Sequence, residues 1–142
     1  MAGSYKFIDH TADIACKVWG DNLEELFVAA ADAWRSSVVE EMSYCERETK
    51  IITLESFSKE QLLVDFLNEL NFLLFTRKWL TNLITDISIM NNDDNWKLNA
   101  ELEGMSLSND IKLKQEIKAI TFHQMEIEKE GNKYSTLLVF DI

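Results

Sequence analysis

The sequence predicts an α+β fold: a single domain over residues 1–142, with a mostly antiparallel β-sheet and two helices packed against it. Three observations carry this. Most strand-like segments follow one another, separated by short polar turns. Only two stretches carry a helical repeat, and each opens on a capping residue. There is no proline and there are only 4 glycines, so no linker composition divides the 142 residues.

Taken in order, Ser4 to Asp9 reads as a first strand. Asp13 to Trp19 alternates, with Ile14, Cys16 and Val18 on one side and Ala15, Lys17 and Trp19 on the other. Gly20-Asp21-Asn22 breaks it. Asn22, with Glu25 three residues on, forms a capping box for a first helix. Leu23, Leu26, Phe27, Ala30 and Trp34 give that helix one apolar face, and it ends near Ser36 to Val39. The β-branched Thr49, Ile51, Ile52 and Thr53 place a strand at about Cys45 to Glu55.

Ser58 and Gln61 form a second capping box. The stripe of Leu62, Leu63, Phe66, Leu67, Leu70, Leu73 and Leu74 is wide, as in a helix buried against a sheet. Leu83 to Met90 alternates as a strand, Asn91 to Asn95 is a polar turn, and Trp96 to Glu103 returns until Gly104 ends it. Met105 to Lys114 is irregular. A long hairpin closes the chain: Lys118 to Lys129 outward, a turn at Glu130-Gly131-Asn132, and Lys133 to Ile142 back. In the return strand Leu137, Val139 and Asp141 share a face. An aspartate ending an apolar row lies either at a solvated rim or beside a positive charge.

Lys and Arg number 14 against 25 Asp and Glu, a net charge of −11. That balance opposes direct nucleic-acid binding and anionic membranes, and favours basic partners or bound cations. It also keeps a protein soluble. Apolar residues make up 46%, enough for a real core. No run of about 18 uncharged apolar residues is present, and the first residues lack the apolar core of a signal peptide. The expected location is the cytoplasm. Cys16 and Cys45 are far apart and form no CxxC, which argues against a disulfide framework and thiolate zinc.

The candidate site lies at the two ends of the chain. Ile8-Asp9-His10-Thr11-Ala12-Asp13 packs three ionisable groups and a hydroxyl between two strands, and Asp141-Ile142 closes the sequence. If the ends meet, Asp13, Asp141 and the carboxylate of Ile142 supply the oxygen ligands that hard divalent ions require. Ca²⁺, Mg²⁺ and Mn²⁺ all suit such a set. Clustered carboxylates repel one another unless a cation neutralises them. The alternatives are a backbone-capping aspartate and a solvated terminus.

His10, with Asp9 beside it, is either a general base or a residue that orients Asp13. His123 reads as a satisfied, partly buried histidine on a strand, and Lys118 as a strand-end charge. No nucleophile elbow, P-loop or dinucleotide fingerprint is present. A metal-dependent phosphoesterase using Asp13, Asp141 and His10 is the enzymatic alternative, but these are few ligands for a two-metal centre.

An ordered set of motifs resembles the archease family. It comprises Tyr5 to Ile14, Gly20, Leu23 to Phe27, Ala29-Ala30, Leu67-Asn68-Glu69-Leu70, Ile117 to His123 and Val139-Phe140-Asp141-Ile142. The resemblance implies an accessory protein and not an enzyme. It would activate an RtcB-type RNA ligase in tRNA splicing and RNA repair, promoting the ligase's guanylylation and multiple turnover.

The same resemblance implies a divalent-metal site, with calcium as its expected occupant, formed by Asp13, Asp141 and Ile142. His10, Asp9, His123 and Lys118 would stand around it. It also implies a second role, as a chaperone-like modulator of tRNA-modification enzymes such as a tRNA methyltransferase. One segment departs from the family pattern. Gly104-Met105-Ser106 replaces Gly-Glu-Pro, and Lys112-Leu113-Lys114 lacks the histidine of a basic-His pair.

Overall fold

The computed structural model describes residues 3–8, 13–40, 47–108, 113–121 and 126–142. Two α-helices lie between two antiparallel sheets. Strands β1 (Ser4–Ile8), β2 (Asp13–Gly20), β6 (Ala119–Ile120), β7 (Glu128–Glu130) and β8 (Lys133–Asp141) form the first sheet. Its order is β1-β2-β8-β6, and β7 also pairs with β8. Strands β3 (Glu48–Ser56), β4 (Trp79–Asn92) and β5 (Asn95–Ser106) form the second, in the order β3-β5-β4. The predicted class therefore holds, with its strands divided between two sheets.

Helix α1 (Leu23–Val38) packs on β1, β2, β8 and β4, and α2 (Lys59–Phe75) packs on β3, β4, β5 and β6. Burial on two sides explains why both helices are apolar well beyond one stripe. In α1 the buried set runs through Leu26, Phe27, Val28, Ala29, Ala30 and Ala31 without a gap. Phe27 of α1 meets Phe66 of α2 with ring centroids 5.9 Å apart.

Both helices start where the sequence places them. The Asn22 side chain accepts from the Glu25 N–H at 2.8 Å, and Glu25 accepts in turn from the Asp21 N–H at 3.0 Å. The Ser58 hydroxyl accepts from the Gln61 N–H at 3.0 Å. Gln61 does not complete a box: its amide donates forward to Asp65 at 2.7 Å, and the Ser56 hydroxyl donates to the same carboxylate at 2.6 Å.

Several boundaries differ from the sequence reading. Strand β4 begins at Trp79, not at Leu83. Trp79, Leu80 and Thr81 are all buried, so the start of the strand has no polar-apolar alternation to detect. Two register shifts, at Thr81/Leu83 and Ile84/Asp86, break the period further on. Gly104 does not end β5. It pairs with Glu48 on one side and Thr81 on the other. A Cβ there would overlap the Leu80 carbonyl oxygen and lie 2.7 Å from Cη2 of Trp79.

The outgoing arm of the last hairpin is not continuous either: β6 and β7 are separate strands on the same edge of β8. The turn between β7 and β8 is Gly131-Asn132, with Gly131 at φ 61°. Among the described residues no helix is long and apolar enough to cross a membrane.

Candidate metal centre

The two ends of the chain do meet. Strands β2 and β8 are antiparallel neighbours, and their register sets Asp13 directly opposite Asp141. Directly opposed residues share a face, with Cβ atoms roughly 4.5–5.5 Å apart. Both carboxylates are partly exposed, at the rim of the sheet. Like charges so placed cost on the order of 0.2–1 kcal/mol unless something offsets them. Ile142 follows Asp141 directly and is 44% exposed.

This face of the first sheet points away from the helices. Phe140, Leu138 and Thr136 alternate inward and are buried, whereas Leu137, Val139 and Asp141 alternate outward. The odd aspartate at the end of the apolar row is therefore a rim residue. Cys16 faces the core instead. Burial pushes its thiol up to about 11, against a smaller opposing pull from the Lys6 backbone, so it stays protonated and supplies no thiolate.

Lys118 is near the pair through its backbone. Its N–H donates to the Asp141 carbonyl at 2.8 Å, and its side chain is exposed. Asp9, His10 and His123 lie outside the described residues, as does Cys45. Among the described residues no three His, Cys, Asp or Glu side chains form a group able to hold a metal. Asp13 and Asp141 thus contribute two oxygen-bearing side chains, and a third protein anion can come only from a chain terminus or from outside that set.

The donor set passes a simple chemical test. It is all oxygen, it is anionic, and it lies at a solvated rim where water can complete a coordination shell. Those are the preferences of Ca²⁺ and Mg²⁺ and not those of zinc.

The sequence reading missed the residues that hold this rim in place. Asn68 and Asn71 sit three residues apart on α2. The Ile120 N–H donates to Asn68 Oδ1 at 3.0 Å, and Asn68 Nδ2 donates back to the Ile120 carbonyl at 3.3 Å. Asn71 Nδ2 donates to the Ile117 carbonyl at 2.7 Å, and its Oδ1 accepts from Trp34 Nε1 at 2.9 Å. The two amides clamp residues 117–120 against the helix, and those residues carry β6 and the Lys118 bond to Asp141. Glu60 adds a hold further along, accepting from the Ile127 N–H at 3.0 Å. The available signal was a pair of asparagines inside an otherwise leucine-rich helix, where an amide is retained only if it has partners.

An acidic rim on a three-layer β/α/β scaffold defines the class of protein. Comparison with known proteins makes the class specific. The Archease protein family matches residues 5–142. A protein archease from Archaeoglobus fulgidus is 37% identical over 140 residues, covering 97% of this chain and 98% of that one. A second, from Pyrococcus abyssi, is 33% identical over the same coverage.

Two solved structures resemble the fold. One is the solution structure of protein 1598 of Methanobacterium thermoautotrophicum, with a TM-score of 0.80 at 29% identity, covering 97% of this chain and 98% of that one. The other is a crystal structure from Thermotoga maritima described as an archease and possible chaperone. Its TM-score is 0.55 at 25% identity, with 96% of each chain covered. The chain belongs to the archease family.

Proposed function

We propose that this archease holds one divalent cation between Asp13, Asp141 and Ile142, and serves as a protein cofactor of an RtcB-type RNA ligase in the cytoplasm. The direct opposition of Asp13 and Asp141 is the observation that supports this most. Two carboxylates set directly opposite across a strand pair bring anionic oxygens from both strands within reach of one hard cation. Calcium is the first candidate, with Mg²⁺ and Mn²⁺ suiting the same oxygens.

Each residue has a physical task in this reading. Asp13 and Asp141 supply anionic oxygens from two neighbouring strands, so the spacing is set by the sheet and not by a loop. The Lys118 N–H pins the end of β8, and the asparagine clamp fixes the neighbouring segment. A bound cation at such a rim would offset phosphate charge at the ligase's nucleotidyl-transfer centre. The net charge of −11 suits docking on a basic, RNA-handling surface through long-range attraction.

The experiment is a multiple-turnover ligation assay joining a 3′-phosphate RNA end to a 5′-hydroxyl end. Adding the chain should raise both ligase guanylylation and the number of turnovers, and excess EDTA followed by dialysis into Ca²⁺-free buffer should weaken the effect. Stimulation indifferent to chelation would favour the chaperone-like reading, to which the possible-chaperone description of the Thermotoga relative lends support. Phosphoester hydrolysis by the isolated chain would favour an enzyme instead.

A further inference from the structure

We infer that the free edge of β1 is a strand-addition site for an extended segment of a partner protein, in which an apolar residue adjoins an acidic one. The inference is independent of the metal reading. Strand β1 is the outermost strand of its sheet, and no described strand pairs with its outer edge. All five residues Ser4–Ile8 are exposed. Alternate N–H and C=O groups of an edge strand point outward and can pair with a further strand. No proline or bulge blunts this edge, and Lys6 is its one charge.

The two faces of the edge specify what it accepts. On the helix-facing side, Tyr5 and Phe7 stand 39% and 42% exposed, packed edge to face with ring centroids 5.6 Å apart. Beside Phe7 opens a cavity of about 320 Å³, lined by Phe7, Ile14, Ser36, Ser37, Lys114 and Gln115. A residue added opposite Phe7 would stand on the same face of the sheet as this cavity. Phe7 and Ile14 give the cavity an apolar part that an apolar side chain fits, and Ser36, Ser37, Lys114 and Gln115 line the rest.

On the other face, Lys6 is directly opposite Lys17 of β2. Lys17 is also drawn over the Trp19 ring, at 5.4 Å. Two opposed lysines repel, and a carboxylate on the added strand opposite Lys6 would offset this. Neighbouring residues of a strand point to opposite faces. The acidic and apolar positions are therefore adjacent in the partner's sequence. Main-chain pairing supplies affinity, and the cavity and Lys6 supply selection, which is how strand-addition sites work. A second copy of this chain is a poorer occupant, because symmetric pairing centred on Lys6 would bring two more lysines face to face.

A randomised octapeptide library displayed on phage tests this with the full chain. Panning on the wild-type chain should enrich peptides with an acid next to an apolar residue. Panning on Lys6→Glu, checked for an unchanged circular dichroism spectrum, should enrich Lys or Arg at the acid's position. Peptides selected on the wild type should bind that variant about ten-fold more weakly. N-methylation of one alternating set of peptide amides should abolish binding, and methylation of the other set should not. No enrichment, the same peptides on both chains, or tolerance of both methylation patterns would overturn the inference. A sedimenting dimer that Tyr5→Pro dissociates would assign the edge to a second copy and overturn it as well.

Discussion

Replacing Asp141 by alanine is expected to reduce stimulation of an RtcB-type ligase to the level of the ligase alone, while leaving the circular dichroism spectrum unchanged. Asp13→Ala is expected to do the same. Removing a residue that merely supports a metal ligand typically weakens a site about 10–100-fold, so removing a ligand from so small a set should cost at least about 100-fold in cation affinity. The fold should tolerate the Asp141 change. Asp141 is partly exposed at the last position of β8, and its contribution to the sheet comes from backbone bonds that alanine retains. Full stimulation by either variant would contradict the proposed site.

The second large effect concerns the scaffold. Gly104→Ala is expected to destabilise the protein by about 3 kcal/mol, the upper end of what overpacking usually costs. The new methyl group has nowhere to go. It would strike the Leu80 carbonyl, which is backbone, and the Trp79 ring, which is 3% exposed and held beneath β5. For a domain with a total stability of about 5–15 kcal/mol this is a large fraction. Urea unfolding should show a lower midpoint with the slope unchanged. A loss below about 0.5 kcal/mol would mean that β4 and β5 can separate freely at this point.

Those two positions also mark what the sequence could and could not disclose. Asn22 with Glu25, and Ser58 with Gln61, are local signals, and each marked its helix start correctly because capping depends on residues within one turn. The alternation in Asp13 to Trp19 was equally legible, since one face of β2 is core and the other is rim. Gly104 was misread because glycine breaks many strands, and only the tertiary approach of Trp79 explains its place inside one. Trp79 to Thr81 was missed because full burial erases alternation.

The division of strands between two sheets had no local signal. It follows from helices apolar on two sides, and the continuous run from Leu26 to Ala31 was the one trace of it. At the candidate site, the meeting of Asp13 and Asp141 was a conditional expectation, because nothing local in either segment says that β2 pairs with β8. The support of that meeting by Asn68 and Asn71 was not legible, because it depends on where α2 crosses residues 117–120. The expected surroundings of the site, Asp9, His10 and His123, lie outside the described residues.

The most direct measurement is a pair of thermal melts, wild type and Asp141→Asn, each in EDTA and in excess Ca²⁺. Without metal the two chains should melt close together, because Asp141 is partly exposed at the end of β8 and asparagine keeps its backbone bonds. With Ca²⁺ at about 100 times its dissociation constant the wild type should gain about 2.7 kcal/mol and the variant almost nothing, so the two separate only when the cation is present. A wild-type melting point that Ca²⁺, Mg²⁺ and Mn²⁺ all leave unchanged would contradict a cation held between these strands.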